Sequence, residues 1–471
     1  MPQVLRIPPR SRCRTLLLSF IGFLVYACLL HQSGNSIISL STWANGYRRF
    51  LEQDELLRQQ RERSRGEETN QQLLEFTWGN PDSVHKPKIY KSPKEPSAPI
   101  PDPFPLLSHN PPPKRNILRA PKINRPPKRH YPEQTPLFVG FTRNWPQLLQ
   151  CVVSYIAAGW PPEDIYVVEN TGVMFANKEG KLTLQNPFYL NHTQLGILGV
   201  NVIITPTLLT FSQLQNFYLW TALTRSYAYF FWSHQDLIVF SNETATSQHA
   251  PHASLYTNAV RTLRRLTAPS APKWAHHFFD YDHLTLVHRD AVLSVGGWDT
   301  HIPYYASDCD TYLRLMWAGY RQGESEIGVI VDVSGVMEDL GALLRIPGAG
   351  QDDAREKERQ KWVDRHGETW ERLVETAFQM EREKYLVGNL LRNTWQAKQR
   401  GGQGEPFYRD ADGFEKGVKM WIDAGRNVFA EKWGHRGCDL IQAGRKGEDA
   451  WRLERDWDES TEGQGYQGGS W

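Results

Sequence analysis

The sequence predicts an α/β fold, a mostly parallel sheet flanked by helices, with an N-terminal membrane anchor before it and a C-terminal helical extension after it. Three features point there. From Thr135 onward, short apolar runs alternate with helix-patterned stretches in strand, helix, strand order. Thr15 to Leu30 is an unbroken, mostly apolar run behind Arg6, Arg10, Arg12 and Arg14. Asp352 to Gln399 is strongly charged and helical in pattern. With 471 residues, 40% of them hydrophobic and 12% aromatic, the chain can bury at least one large core. A formal net charge of +2, with no long basic stripe interleaved with aromatics, gives no support to a nucleic-acid partner.

The N-terminal elements follow in order. Residues 1–14 read as a cytosolic tail and 15–32 as a transmembrane signal anchor in the lipid bilayer. The apolar run is slightly shorter than the roughly 20 residues a span needs, which suits a thin bilayer or a helix lengthened by its flanks. The arginines place the N-terminus in the cytosol, giving a single-pass type II topology. A cleaved signal peptide would call for a small-x-small site that does not follow the run, and a mitochondrial presequence would be amphipathic. Residues 33–134 read as a stem. Its first part, Tyr47 to Phe76, is charged and Gln-rich and suits a solvated helix or weak coiled coil. Pro81 to Pro136 then holds sixteen of the thirty prolines and is expected to be extended and largely disordered. In a lumenal chain, Asn191-His-Thr193 and Asn242-Glu-Thr244 are glycosylation candidates. Cys151, Cys309 and Cys438 would meet an oxidising compartment, allowing one disulfide and one spare thiol with the pairing open.

Residues 135–345 carry the globular pattern. Leu137-Phe-Val-Gly-Phe141 suits a buried strand, with Asn144 as a cap, Pro146 near the first helical position, and Leu149, Val152, Val153 and Ile156 forming a helical face. Gly159 and Pro161-Pro162 end that helix, and Asp164-Ile-Tyr-Val-Val168 reads as the next strand. Such a unit implies a parallel sheet with ligand at the carboxyl ends of its strands, so Thr142, Arg143, Glu169 and Asn170 are candidate ligand-facing residues. Further strands are expected at Val200 to Ile204, Tyr227 to Ser233 and Leu237 to Phe240, with a helix from about Phe211 to Arg225. Residues 346–456 read as a helical extension packed on this domain and 457–471 as a flexible tail.

The acidic groups concentrate downstream. Val295-Gly-Gly-Trp-Asp299 is followed at Tyr304 by YYASDCDTYLRLMWAGY, in which Asp308 and Asp310 stand at the first turn of a helix whose Leu313, Met316, Trp317 and Tyr320 form an apolar face. This order, a glycine stretch, an acidic pair and a helix bearing Arg314-Leu315, resembles the second acidic motif of GT-A-fold glycosyltransferases, especially the inverting family 2 type. The resemblance covers roughly Thr135 to Met337. It implies a GT-A-like, Rossmann-like fold, transfer of a sugar from a nucleotide-sugar donor to a glycan or glycoconjugate acceptor, and a Golgi membrane location with the ER membrane as the alternative. By the same resemblance, Asp308 is the general base with Asp310 beside it, while Gly297, Trp298 and Asp299 meet substrate.

Two further stretches resemble the family with departures. Val167-Val-Glu-Asn-Thr-Gly172 is similar to Val-Val-Asp-Asp-Gly-Ser, with Glu169 and Asn170 in place of two aspartates. His234-Gln-Asp236 stands where Asp-x-Asp binds a divalent cation, which implies His234 and Asp236 as metal ligands, with imidazole tilting selectivity toward Mn2+. Asp280-Tyr-Asp282 is a rival Asp-x-Asp by its letters, though it lies where an acceptor-side segment belongs. Val329-Ile-Val-Asp-Val-Ser334 lacks the late histidine ligand of some family members. His276, His277, His283 and His288 form no zinc pattern and are expected to be structural. The degraded Asp-x-Asp keeps open a non-catalytic GT-A-like module that binds glycans or scaffolds other enzymes. A carboxylate-pair hydrolase, which would need no nucleotide, is the third class.

Overall fold

The computed structural model describes residues 89, 99–126, 133–244, 252–346, 366–388 and 400–458. The chain divides into two units, Met1–Pro93 and Lys94–Trp471. Apart from Ile89, the first unit lies outside the described residues, and with it the expected cytosolic tail, the span at 15–32 and the Gln-rich part of the stem. Among the described residues no helix is long and apolar enough to cross a membrane.

The strands are β1 (Leu137–Phe141), β2 (Ile165–Glu169), β3 (Asn201–Ile204), β4 (Tyr229–Ser233), β5 (Leu237–Phe240), β6 (Trp274–Phe278), β7 (Leu284–His288), β8 (Arg321–Glu324) and β9 (Val329–Asp332). The helices are α1 (Trp145–Ala157), α2 (His192–Leu198), α3 (Phe211–Thr224), α4 (Leu255–Leu266), α5 (Arg289–Ser294), α6 (Ser307–Trp317), α7 (His366–Gly388) and α8 (Ala411–Trp433). Seven strands form one sheet in the order β3-β2-β1-β4-β7-β6-β8, and β5 pairs with β9 in a small second sheet. All strands of the large sheet run the same way except β7, which is antiparallel to both β4 and β6. The chain steps outward from β1 through β2 to β3 and then returns to place β4 on the other side of β1. That reversal leaves a crevice at the carboxyl ends of β1 and β4, the place where open α/β sheets bind ligands.

Both faces of the sheet are covered, which is why its central strands are apolar throughout rather than alternating. On one face α1 and α4 bury Leu148, Val152, Ile156, Ala259 and Leu263 against Val139, Val167 and Phe231. On the other, α3, α5 and α6 bury Tyr218, Leu219, Val292 and Leu315 against Phe138, Val168, Phe230 and Trp232. Asn144 stands at the N-cap position of α1 as expected, but in left-handed backbone (φ 75°), and its side chain donates to Gln147 Oε1 at 2.9 Å instead of capping the helix. Gly159 has φ 95°, and a Cβ there would lie 2.4 Å from the Asn124 carbonyl, so the exit from α1 requires glycine on both counts.

His276 on β6 lies in the second of these cores, 1% exposed, stacked near Phe278 and Tyr312. Neither ring nitrogen has a hydrogen-bond partner among the described residues, and burial holds the imidazole down at about 3. Because its folded pKa is depressed, its contribution is present above the unfolded value near 6.5 and is lost as pH falls, when the unfolded chain takes a proton that the native one refuses. His276→Leu should therefore flatten the acid limb of stability, relative to a wild type that loses up to about 1.4 kcal/mol per pH unit at this site. Urea midpoints of both proteins at pH 7 and pH 5 decide it; parallel losses would show that the native ring takes up the proton.

The segment 99–126 differs from the extended stem expected of it. Phe104, Leu107 and Leu118 are at most 3% exposed and join the core of α1 and α4, the turn at Pro105–Ser108 packs beside α2, and Leu340 N–H donates to the Pro103 carbonyl at 3.0 Å. Prolines forbid ladder hydrogen bonds but leave the apolar side chains between them free to pack. Leu107→Ala should lower unfolding free energy by about 2–3 kcal/mol, the lower part of the range for buried leucine, because the site lies at the margin of the core. An unchanged urea midpoint would mean that the segment is a bystander.

The C-terminal helices complete the unit. On α7, Trp370, Leu373, Val374, Ala377 and Met380 form a buried stripe at helical spacing that packs beside β9. On α8, Phe429 and Trp433 pack with Ile302, Cys309 and Leu440. Cys309 is disulfide-bonded to Cys438 and Cys151 is the buried free thiol, which resolves the pairing that the sequence left open.

Candidate functional site

His234, Gln235 and Asp236 follow directly on β4, at the switch in strand order. Gln235 ties the two strand ends together: its Oε1 accepts from Thr142 N–H at 3.3 Å and its Nε2 donates to the Arg143 carbonyl at 2.6 Å. The β5 and β9 register, Leu237 opposite Asp332, then brings a second carboxylate beside Asp236. Lys384 reaches both from α7. Its Nζ donates to Asp236 Oδ2 at 2.7 Å and to Asp332 Oδ1. Lys384 continues the buried stripe of α7 one turn past Met380, which explains why a lysine lies here only 11% exposed.

From this pair the array runs on through the turn between β6 and β7. His283 Nε2 lies 3.9 Å from Asp332 Oδ2 and its Nδ1 lies 3.0 Å from Asp280 Oδ2. The His283 and His234 rings are 5.8 Å apart, and the His234 N–H donates to the His283 carbonyl. In the same turn Tyr281 donates its hydroxyl to Asp308 Oδ2 at 3.3 Å, while Tyr312 of α6 donates to Asp282 Oδ1 at 2.8 Å. His283 was expected to be structural, yet it joins the two acidic clusters.

Electrostatics divides the two carboxylates unequally. Burial pushes the Asp236 carboxyl up, but the Lys384 ammonium and His234 outweigh it and hold it at about 2. Asp332, also desolvated and facing Asp236, is raised. Burial alone would lower Lys384 and His283; the surrounding carboxylates reverse this and raise both.

The family pattern implies a divalent cation held by His234 and Asp236. The residues present do not fit one. The Asp236 carboxylate already carries the ammonium of Lys384, which also holds Asp332. Among the described residues no group of three or more His, Cys, Asp or Glu is arranged to hold a metal ion.

The two aspartates of α6 have separate surroundings. Asp308 is half-buried in the first turn of α6 and faces Tyr281. Asp310, expected to stand beside the base with its oxygens available, is fully buried and engaged. It accepts from Arg314 Nε at 2.9 Å, Lys432 Nζ at 2.7 Å and Trp433 Nε1 at 3.1 Å. The acidic residue of the pair that stays partly exposed is thus Asp308 alone, because a helix turns the next-but-one side chain inward. Arg314 also donates to the Val295 and Gly297 carbonyls, so it fixes the glycine loop to Asp310.

The expected substrate residues of that loop are likewise internal. Trp298 is 4% exposed and packs edge-on against Phe211 and Tyr312, so it is core and not a sugar platform. Asp299 accepts from Lys432 Nζ at 2.7 Å and from the His301 N–H at 3.0 Å. Gly297 has φ 73°, and a Cβ there would meet Asn216 Oδ1 at 2.7 Å; the close approach it permits is to this side chain.

At the end of β2, Glu169 is buried and bonded to Asn177 Nδ2 at 2.8 Å, to the Thr171 hydroxyl at 3.3 Å and to His192 Nε2 at 2.7 Å. Asn170 is held by Leu209 through its amide at 2.8 Å and its carbonyl at 2.7 Å. Arg143 is 6% exposed, paired with Glu415 of α8 at 3.3 Å and lying over Phe414. Arg409, just before α8, lies over Phe188 and donates to the Thr171 carbonyl. Of the four expected nucleotide-facing residues, Thr142 remains partly exposed beside Gln235, while Glu169, Asn170 and Arg143 serve the fold.

Sequence reasoning missed Lys384, Lys432 and Asp332. The two lysines had a legible signal, since each continues an apolar stripe on its helix where a solvated lysine has no place. Asp332 falls in the stretch noted for lacking a histidine, and only strand pairing brings it to Asp236.

No protein-family model matches the sequence, and no curated protein matches it significantly. Among solved structures, a mannosyltransferase from Pyrobaculum calidifontis in complex with GDP-Man and Mn2+ is 12% identical at a TM-score of 0.30, covering 66% of this chain and 90% of that one. GalNAc-T7 with UDP, GalNAc and Mn2+ is 10% identical at a TM-score of 0.26, over 42% of each chain. A cytidylyltransferase from Leptospira borgpetersenii serovar Hardjo-bovis is 10% identical at a TM-score of 0.27, over 50% of this chain and 96% of that one. Likenesses this slight assign the chain to none of these proteins' families.

Proposed function

We propose that the chain is a GT-A-like glycosyltransferase that takes a nucleotide-sugar donor and transfers the sugar, with inversion, to a glycan or glycoconjugate acceptor in the secretory pathway, held at the Golgi membrane by the span at 15–32. The observation that carries this reading is the array at the switch in strand order, in which His234 after β4, through its backbone N–H, and Asp308 of α6 are linked through one turn, Asp280 to His283. A donor laid across the carboxyl ends of β1 and β4 would direct its diphosphate toward Thr142 and Gln235. Asp308 would take the proton of the acceptor hydroxyl as its oxygen bonds to the anomeric carbon and the bond to the diphosphate oxygen breaks. Tyr281 orients that carboxylate.

A non-catalytic module is favoured by one specific observation, the internal bonding of Glu169, Asn170 and Arg143. Nucleotide release by the purified full-length chain, across UDP- and GDP-sugars with glycan acceptors, separates the two. Release from one donor that disappears in Asp308→Asn supports the transferase; a folded chain that binds glycan but releases nothing from any donor supports the module.

A further inference from the structure

We propose that the Lys384 ammonium is the resident cation of the β4 site: it replaces a divalent ion between Asp236 and Asp332, so the chain takes up no metal there and a nucleotide bound at this place binds without one. The part concerning the nucleotide rests on the proposed function; the part concerning metal does not.

The inference follows from how the two carboxylates arise. The pairing of β5 with β9 forces Asp236 and Asp332 together, with side chains only 13% and 12% exposed. Two like charges this close in a partly desolvated place need a counter-charge, normally a bound cation. Lys384 supplies one covalently. Its backbone is fixed by the α7 stripe from Trp370 to Met380, and Met380 seats against Gly335, where even a Cβ would lie 2.9 Å from its sulfur. A surface lysine could swing aside for an entering ion, but this one is 11% exposed and held at both carboxylates. The His234 substitution fits the same account, since a site served by an ammonium has no need of a first carboxylate at that position.

The test uses the full-length chain and Mn2+ alone, followed by equilibrium dialysis or by the paramagnetic signal of free Mn2+. The wild type is expected to take up no stoichiometric Mn2+. Binding of one equivalent that is lost in Asp236→Asn would overturn the proposal. Lys384→Met keeps the length of the side chain without its charge and should lower the thermal midpoint by roughly 5–10 °C, since the two carboxylates then face each other with only the imidazoles of His234 and His283 beside them. Adding Asp236→Asn and Asp332→Asn to that variant should recover most of the loss, because all three charges are then gone. An unchanged midpoint in Lys384→Met would overturn the role of the lysine. UDP and GDP binding measured in EDTA and in Mn2+ completes the test: equal affinities support the inference, and a tenfold loss in EDTA overturns it. Absence of nucleotide binding in either condition would count against the proposed function instead, with the Mn2+ measurement still deciding the metal question.

Discussion

Asp308→Asn is expected to reduce turnover by about 10²–10⁴-fold, the usual contribution of a positioned general base. The loss should fall on kcat with KM for the donor little changed, because the amide cannot accept the acceptor's proton but preserves the shape of the site. Stability should fall by no more than about 1 kcal/mol, the worth of one carboxylate charge in the first turn of a helix. Asp308 is half-buried, and an asparagine oxygen can still accept the Tyr281 hydroxyl bond that the carboxylate now accepts at 3.3 Å. The measurement is steady-state nucleotide release by the full-length protein, with urea unfolding of the same preparation as its control. Retained turnover would remove Asp308 from the mechanism. A loss of turnover accompanied by a large fall in stability would instead make it a structural residue.

Half of the large sheet, β1 to β4, was legible in the sequence because those strands are short apolar runs closed by glycine, proline or polar residues; β6 to β8 were not, and β8, Arg321-Gln-Gly-Glu324, has no apolar pattern to read. Strand β1 occupies the residues expected of it, and α1 begins one residue before the proline that marked its first turn. The positions that misled are polar residues whose partners lie far along the chain. Glu169 at the end of a strand looks like a ligand residue until Asn177 and His192 are seen to hold it. Trp298 looks like a sugar platform until Phe211, from a helix some ninety residues earlier, is found against it. Asp236 illustrates the same limit for charge: the letters His-Gln-Asp describe an acidic strand end, and its counter-ion Lys384 comes from a helix 148 residues away. Local pattern gives the location of a strand end; which of its polar groups remain for a ligand is decided by long-range pairing that periodicity does not encode.

Asp310→Ala should be the most destabilising single change in the site, lowering unfolding free energy by about 3–5 kcal/mol, as when one partner of a buried ion pair is removed. Its carboxylate is fully buried and receives three donors: Arg314 from its own helix, and Lys432 and Trp433 from the end of α8. Deleting it leaves two cations, with side chains 16% and 8% exposed, short of an acceptor. Arg314 retains the Val295 and Gly297 carbonyls and Lys432 retains Asp299, so the fold should survive while α6, the glycine loop and α8 loosen together. The Cys309 to Cys438 bond crosses the same junction and will keep α6 and the chain after α8 connected. The loss should therefore be larger when unfolding is followed with the disulfide reduced. Asp310→Asn retains one acceptor oxygen and should lose less, and combining it with Lys432→Met should lose less than the sum, since the unpaired cation is removed with its partner. Urea unfolding of these variants measures all of it. A fall below about 1 kcal/mol for Asp310→Ala, the level of an exposed ion pair, would show that the carboxylate does not hold α6 to α8. In that case the case for Asp308 as a rigidly presented base would weaken as well, because its helix would have lost its strongest anchor.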